Sequence, residues 1–460
     1  MGHIQQWVAK MRTDRARQSI ALFGHFGAGN LGNEATLRAM VYNLRKHLPG
    51  AEISCVCSGP EKTASEYNIS AAPIRSPLPI RKLSGVSSAK NEPEGSSNGT
   101  VCEAAAEARR SLKVVAKFRV PLRICAYPLL EAYRWFMTIA TLNANSSLVM
   151  AGTGMLGDPS LHYEIFRWAV AAKLCRCKLL FVSVGAGTIR RPLSRWFVKA
   201  ALKLADYRSY RDSSSKDYLE TIGLDVKNDP VYPDLAFSLP RTVVSADYGA
   251  GRRGDVIGVG LVDYYGASYY GASRSTNDQA AYCDYVGCVA SFVAAMLRRN
   301  YAVRILIGDF VWDQGVRQDL RSALEERGVT YDDSEIIDTP AFSVDELLLQ
   351  LSSVDIVVSS RFHNLVLALM LKKPVFAVSY HAEKFRPLME GVGLSEFYHD
   401  INHIDVDELI GKVISLGENA PVISVQAARQ TESYRAALDE QYKRMLVVFS
   451  APINTALAPA

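Results

Sequence analysis

The stretch 19-SIALFGHFGAGNLGNEATLRAMVYNLRKHL-48 sets the fold class. Its first six residues read as a buried strand. Gly27, Gly29 and Gly32 follow, and from Glu34 to His47 the apolar residues recur at helical spacing. Strand, glycine turn and helix form the opening unit of a parallel α/β sheet. Glycines at that place let the backbone approach a ligand closely, and a helix N-terminus favours an anion. The spacing G-x-G-x-x-G raises the question of a dinucleotide. A dinucleotide site also wants an acid about 20 residues on, at the end of the next strand. Glu52 precedes the run 53-ISCVCS-58 and Glu61 lies beyond it. Asn33 and Glu34 stand where close strand–helix packing favours small apolar residues. A dinucleotide, a structural turn, and an anionic or sugar ligand all stay open for this loop.

The rhythm set by that unit continues along the chain. Strands are predicted at 19-SIALFG, 52-EISCVCS, 146-SSLVMAG, 178-KLLFVSVGAG, 256-VIGVGLVD, 303-VRILIG, 354-VDIVVSS and 375-VFAVSY. Helices are predicted between them over Glu34–His47, Pro192–Ala205, Tyr282–Arg299, Val344–Leu351 and Leu365–Leu371. Several strands are apolar almost throughout, as expected when helices cover both sheet faces. A chain of 460 residues exceeds one core. The polar, Gly-rich segment 238–255 marks a boundary, giving an N-terminal domain over 1–245 and a C-terminal domain over 246–420. Residues 421–460 supply one long final helix and a tail that packs back across the domains. The Ser-, Gly- and Glu-rich segment 84–111 reads as a disordered surface insertion with a short helix after it.

Composition narrows the class of protein. Hydrophobic residues make up 48% and charged residues 22%, ordinary for a globular enzyme, and the net charge is +5. That mild excess suits anionic small molecules or contact with an anionic membrane surface, and is too weak to argue for nucleic acid. No run of about 18 uncharged apolar residues predicts a span. The richest stretch, 120-VPLRICAYPLLEAYRWFMTIA-140, carries Arg123, Glu131 and Arg134, and reads as a buried or amphipathic helix with a membrane-surface helix as the alternative. The N-terminus is basic without an apolar signal core, and Gln6 departs from the myristoylation pattern. The C-x-C pairs Cys55/Cys57 and Cys175/Cys177 lack zinc-site spacing and read as reduced buried thiols. No metal cluster is evident.

Three further segments carry candidate chemistry. In 354-VDIVVSSRFHNLVLALMLKKPVFAVSYHAEKF-385 an apolar strand ends at Ser359–Ser360, where Arg361 and His363 follow. The C-terminal end of such a strand is where ligands bind. If the chain stays extended there, residues i and i+2 point the same way and set guanidinium beside imidazole. An Arg fork suits carboxylate or phosphate, and His exchanges a proton near neutral pH. A helix-capping Arg and a satisfied buried His explain the pair equally well in isolation. In 205-ADYRSYRDSSSKDYLETIG-223, Arg211 stands at a strand-to-helix junction with Asp212 or Ser213 as N-cap, or salt-bridges Asp212 on the surface. In 151-AGTGMLGDPSLHYE-164 a glycine turn containing Gly154 follows a strand and leads to His162.

Taken together, these blocks resemble the polysaccharide pyruvyl transferase family. The matching motifs are 27-GAGNLGNE-34, 148-LVMAGTGML-156, 211-RDSSS-215 with 229-DPVYPDLAF-237, and Ser359, Arg361, His363 with the trailing Tyr380 and Lys384. The match runs from about residue 19 to 395. Asn33 stands where the family usually has Asp, and the 84–111 insertion is particular to this chain.

The resemblance implies two Rossmann-like domains facing a cleft in the GT-B manner. It implies transfer of pyruvate from phosphoenolpyruvate to two hydroxyls of a sugar, as a ketal, with release of phosphate and no cofactor. On that expectation Arg211 and Arg361 hold the donor, protonated His363 is the acid, and Lys384 holds phosphate or carboxylate charge. Tyr380 orients the site and His162 is a second acid–base candidate. Gly27, Gly29, Asn30, Gly32, Glu34, Gly154 and Ser359 line the substrate side. The acceptor is an oligosaccharide, and lipid-linked precursors bring in peripheral contact between a cytoplasmic enzyme and the inner membrane. The alternatives are a GT-B nucleotide-sugar glycosyltransferase and a non-catalytic sugar-binding homologue.

Overall fold

The computed structural model describes residues 18–76, 128–152, 154–157, 161–244, 256–264 and 276–452. The predicted insertion at 84–111 and most of the predicted boundary segment lie outside them.

Among the described residues all eight predicted strands form, and four more join them. The first sheet comprises β1 (Ser19–Gly24), β2 (Glu52–Cys57), β3 (Ser70–Pro73), β4 (Ser147–Ala151), β5 (Lys178–Val184) and β6 (Tyr207–Tyr210), in the order β3-β2-β1-β4-β5-β6. The second comprises β7 (Val256–Leu261), β8 (Ala302–Ile307), β9 (Ile336–Ile337), β10 (Ile356–Ser359), β11 (Val375–Ser379) and β12 (Tyr398–Asp400), in the order β12-β11-β10-β7-β8-β9. Every pairing is parallel. The two sheets therefore repeat one doubly wound order. Each reverses beside its first strand, between β1 and β4 and between β7 and β10, and ligand crevices open at the carboxyl ends of strands at such points. The central strands β1, β4, β5 and β11 are buried along their whole length, which explains their unbroken apolar runs.

Local chemistry corrects two helix starts. The first helix begins at Leu31, three residues before the predicted Glu34, because the Asn30 side chain caps it by accepting from the Asn33 N–H at 3.1 Å. Asn33 and Glu34 then turn back on the glycine turn: Asn33 Nδ2 donates to the His25 carbonyl at 3.0 Å, and Glu34 Oε1 accepts from the Gly27 N–H at 2.6 Å. The helix predicted from Leu365 begins at Phe362, so Arg361 is its N-cap and His363 already lies in its first turn.

The final helix, Ala420–Ser450, closes back over both halves. It packs on the 3-10 turn Leu235–Ser238 and on the helices Leu31–His47 and Phe362–Met370. Within it, Gln441 Nε2 donates to Ser183 Oγ at 2.9 Å and Ser209 Oγ at 2.7 Å, fastening it to the first sheet. The helix Thr276–Leu297 is long and apolar enough to cross a membrane by composition, yet it packs on β8 and on the helices Gln314–Glu326 and Val406–Glu418 as core.

The halves meet at the carboxyl edges of their sheets. The Leu31 N–H donates to the Gly308 carbonyl at 2.9 Å, and the Phe310 N–H to the Gly29 carbonyl at 3.2 Å. Arg38 reaches Asp345 at 2.8 Å across the same seam.

Candidate active site

The glycine turn is built to be approached. Gly27 and Gly29 hold φ of +74° and +103°, in the left-handed region where a side chain is strained. Gly32 serves another purpose. A Cβ there would lie 2.0 Å from His363 Nδ1, so the start of the first helix lies directly against the imidazole from the other half.

Around that imidazole the strand ends of both sheets deliver a ring of charge. His363 Nε2 lies 3.5 Å from Asp234 Oδ2, and Arg211 Nη1 lies 3.6 Å from the same oxygen. Asp234 comes from the loop between the helix Ser213–Thr221 and the Leu235–Ser238 turn, which it caps: its Oδ1 accepts from the Ala236 N–H at 3.0 Å. Arg211 is held at the end of β6 by Asp212 at 3.3 Å, while Asp212 also caps the helix Ser213–Thr221 by accepting from the Ser215 N–H at 2.7 Å. Asp212 is thus both cap and ion-pair partner, and its pair with Arg211 is buried where a surface pair was the expected alternative. The Phe362 ring carries two cations, Arg211 at 5.0 Å and Lys384 at 4.6 Å from its centroid.

These neighbours set the proton affinities. Burial would raise the Asp234 carboxyl, but His363, Arg211 and the Ala236 N–H outweigh it and hold it down at about 2. Burial lowers His363, and nearby Lys384 and Arg211 push the same way, while Asp234 opposes them. Lys384 is pulled to about 7 by burial first and by Arg211 next, with Asp234 opposing and Arg361 adding to the depression. Glu34 is raised to about 7, chiefly by burial, against the pull of the Gly27 N–H.

Arg361 sits differently from the expectation. An extended chain would have set it beside His363. Because the helix starts at Phe362, the two side chains diverge: His363 faces Asp234 and Gly32, whereas Arg361 forks onto the fully buried Asp313. Arg361 Nε lies 2.9 Å from Asp313 Oδ2, and Nη2 contacts Oδ1. The Gly308, Asp309 and Asp263 N–H groups also donate to Asp313. Ser359 Oγ accepts from the Arg361 N–H at 3.0 Å, so this buried hydroxyl shapes the turn.

The other expected positions divide. Tyr380 packs at a tilt on Tyr264 at 4.8 Å and touches Phe385 at 5.5 Å, which in turn packs on Phe362 at 5.6 Å. Asn30 and Glu34 order the glycine turn. Gly154 is exposed with open space at its Cβ, and the contacts around Asp234 include neither it nor His162, which opens the helix His162–Leu174. Asp234 joins the site unexpectedly, although it stands inside 229-DPVYPDLAF-237 ahead of an apolar turn, a usual capping signal. Asp313 carried no local signal. Among the described residues no group of His, Cys, Asp and Glu is arranged to hold a metal ion. All four cysteines of the C-x-C pairs are buried.

The arrangement therefore offers a small polyanion two to three cations, an imidazole beside them, and a carboxylate that fixes both. Comparison with known proteins bears on the family and on the fold. A family model described as "Polysaccharide pyruvyl transferase" matches residues 30–382. No curated protein matches the chain. Among solved structures, a UDP-GlcNAc 2-epimerase from Neisseria meningitidis bound to UDP-GlcNAc aligns at TM-score 0.55 and 11% identity, covering 94% of this chain and 99% of its own. A putative UDP-N-acetylglucosamine 2-epimerase from Listeria monocytogenes aligns at 0.54 and 12%, covering 93% and 97%. A glycosyltransferase from Rickettsia africae aligns at 0.53 and 11%, covering 96% and 100%. At such identities the likeness shows the fold, two Rossmann-like sheets in the GT-B arrangement.

Proposed function

We propose that this chain, which belongs to the polysaccharide pyruvyl transferase family, takes phosphoenolpyruvate as donor and forms a pyruvate ketal on two hydroxyls of a sugar. The observation that carries the reading is that Arg211 from one half and His363 from the other share a single carboxylate, Asp234, with Lys384 beside them. A three-carbon enol phosphate bears its carboxylate and phosphate within a few ångströms of its methylene carbon. It needs clustered cations and one acid, and that is the set of groups present.

In this reading Arg211 and Lys384 contact the donor's charges. Arg361 stands behind them, its fork committed to Asp313, and supports the site by fixing the turn that presents His363. His363 Nε2 gives a proton to the methylene carbon, which becomes the methyl group. The electron deficiency at C2 is met by the first sugar hydroxyl, whose proton the now neutral imidazole takes. Phosphate leaves with its C–O bond electrons and one proton, and the second hydroxyl closes the ketal. One hydroxyl proton ends on carbon and the other on phosphate, so the reaction balances without an added reductant or metal. Asp234 stabilises the imidazolium by proximity and, with its pKa at about 2, stays a carboxylate throughout.

Free, the ring balances Arg211, Arg361 and Lys384 against Asp212, Asp234 and Asp313. A donor with up to three negative charges tips that balance and raises the proton affinity of Lys384 and His363. Donor binding thus loads the acid it needs. The experiment is direct. Purified protein is incubated with phosphoenolpyruvate and a panel of sugars, free and lipid-linked, and phosphate release is followed with the mass of the sugar. Stoichiometric phosphate and pyruvylated sugar support the reading, and transfer of a glycosyl group from a sugar nucleotide instead would overturn it.

A further inference from the structure

The helix over 128–142 is inside out. Its exposed stripe at positions 129, 132, 136 and 140 is Leu, Ala, Phe and Ala, while its two charges turn inward. Glu131 accepts from the Tyr163 hydroxyl at 2.6 Å and meets Arg167 at 3.4 Å, and Arg134 lies against Glu131 at 3.3 Å. A surface helix ordinarily does the reverse. Beside it the helices His162–Leu174 and Pro192–Lys203 carry the same character outward. Leu129, Phe136, Leu174, Leu193 and Trp196 are each more than half exposed. Trp196 belongs to an aromatic cluster, with Phe166 and Phe197 each 5.3 Å away.

Charge frames this surface on one side. From Ala186 to Ala205 the chain holds Arg190, Arg191, Arg195, Lys199 and Lys203 and no acid. On the helix Pro192–Lys203, Leu193, Trp196, Lys199 and Lys203 follow one another along a single stripe, so apolar tip and basic flank face the same way. Both this helix and His162–Leu174 start at the carboxyl edge of the first sheet, the edge that lines the cleft.

We propose that this face, built from the helices 128–142, His162–Leu174 and Pro192–Lys203, docks on an anionic phospholipid bilayer. Aromatic and aliphatic side chains ringed by Arg and Lys match the boundary between headgroups and acyl chains: the rings enter it and the cations meet the lipid phosphates. Docked this way, the cleft opens beside the lipid surface. The inference is independent of the donor chemistry.

The test is co-sedimentation of the full chain with phosphatidylcholine vesicles, with and without phosphatidylglycerol, alongside light scattering for oligomeric state. The wild type is expected to bind the anionic vesicles, weakly at high salt, and to bind neutral ones far less. Phe136→Glu with Trp196→Glu, both exposed and remote from Asp234, is expected to cut partitioning at least about ten-fold while leaving the turnover of a soluble acceptor unchanged. Arg190→Ser with Arg191→Ser and Arg195→Ser is expected to abolish the preference for anionic vesicles. Failure of the wild type to bind, unchanged partitioning of the Glu variant, or conversion of a dimer to monomer by that variant would each overturn the proposal, the last in favour of a second copy as occupant.

Discussion

Gly32 of the first half and His363 of the second are packed so closely that a Cβ on the glycine would fall 2.0 Å from the imidazole Nδ1. The glycine turn that opens the fold is thereby tied to the acid of the proposed reaction. Close approach there is to a side chain of the same molecule, and the third glycine of the pattern needs no dinucleotide to explain it.

The first prediction follows at once. Gly32→Ala displaces His363 from Asp234 and should lower kcat at least 100-fold, an effect on the scale of losing a general acid. Gly50→Ala, with open space at its Cβ, should leave kcat within about two-fold and serves as the control. Equal, small effects of the two substitutions in a steady-state assay would show that the contact is incidental.

Replacing the acid and its partner should give separable results. His363→Ala should reduce kcat by roughly 10²–10⁴ with donor affinity little changed. Asp234→Asn removes the charge that opposes the depression of His363, so the imidazole loses its proton at a still lower pH. The alkaline limb of the kcat profile should move to lower pH in that variant. An unmoved limb would remove Asp234 from any role in holding the proton.

Donor binding should take up protons. Lys384 titrates at about 7 and His363 below its ordinary value in the free site, so both gain protons when an anion arrives between them. Calorimetry at pH 7.5 in two buffers of different ionisation enthalpy should show uptake that shrinks in Lys384→Met. Identical heats in both buffers contradict the coupling.

Arg361 and Asp313 form a buried pair, with side-chain exposures of 6% and 0%. Breaking such a pair by removing one partner leaves a stranded charge and costs about 3–5 kcal/mol. Arg361→Gln should therefore lower the unfolding free energy as well as activity, measurable by urea denaturation. Activity loss with unchanged stability would instead make Arg361 a direct donor ligand.

Glu34 gives a stability prediction with a definite sign. Its folded pKa, about 7, lies above the ordinary carboxylate value of 4.5, so the folded state holds the proton longer than the unfolded one. Its contribution is full below about pH 4.5 and is lost as pH rises to about 7, amounting to a few kcal/mol at most. Relative to wild type, Glu34→Gln should become progressively more stable across that window. A difference flat with pH would contradict the assignment.

Much of this was legible in the sequence, and the reasons for the remainder are physical. The long apolar strands announced themselves because both their faces are covered. β3, 70-SAAP-73, half exposed and ending in proline, and β9, two residues long, carry too little pattern to be seen. The residues Arg211, His363 and Lys384 stand in recognisable motifs, and the fold brings them together. What the chain did not reveal was pairing. Asp313 lies 48 positions before Arg361 in a loop with no motif of its own. The divergence of Arg361 from His363 depended on a helix starting three residues early, a matter of local capping that apolar spacing does not resolve.

In the proposed reaction Arg211 and Lys384 form the anion site that holds the enol phosphate beside His363, and titration calorimetry with phosphoenolpyruvate probes that site without any acceptor. Saturable binding by the wild type is expected, weakened at least about ten-fold in both Arg211→Gln and Lys384→Met, since each removes a charge-assisted contact. Absence of binding by the folded wild type, or equal affinity in all three proteins, would contradict it.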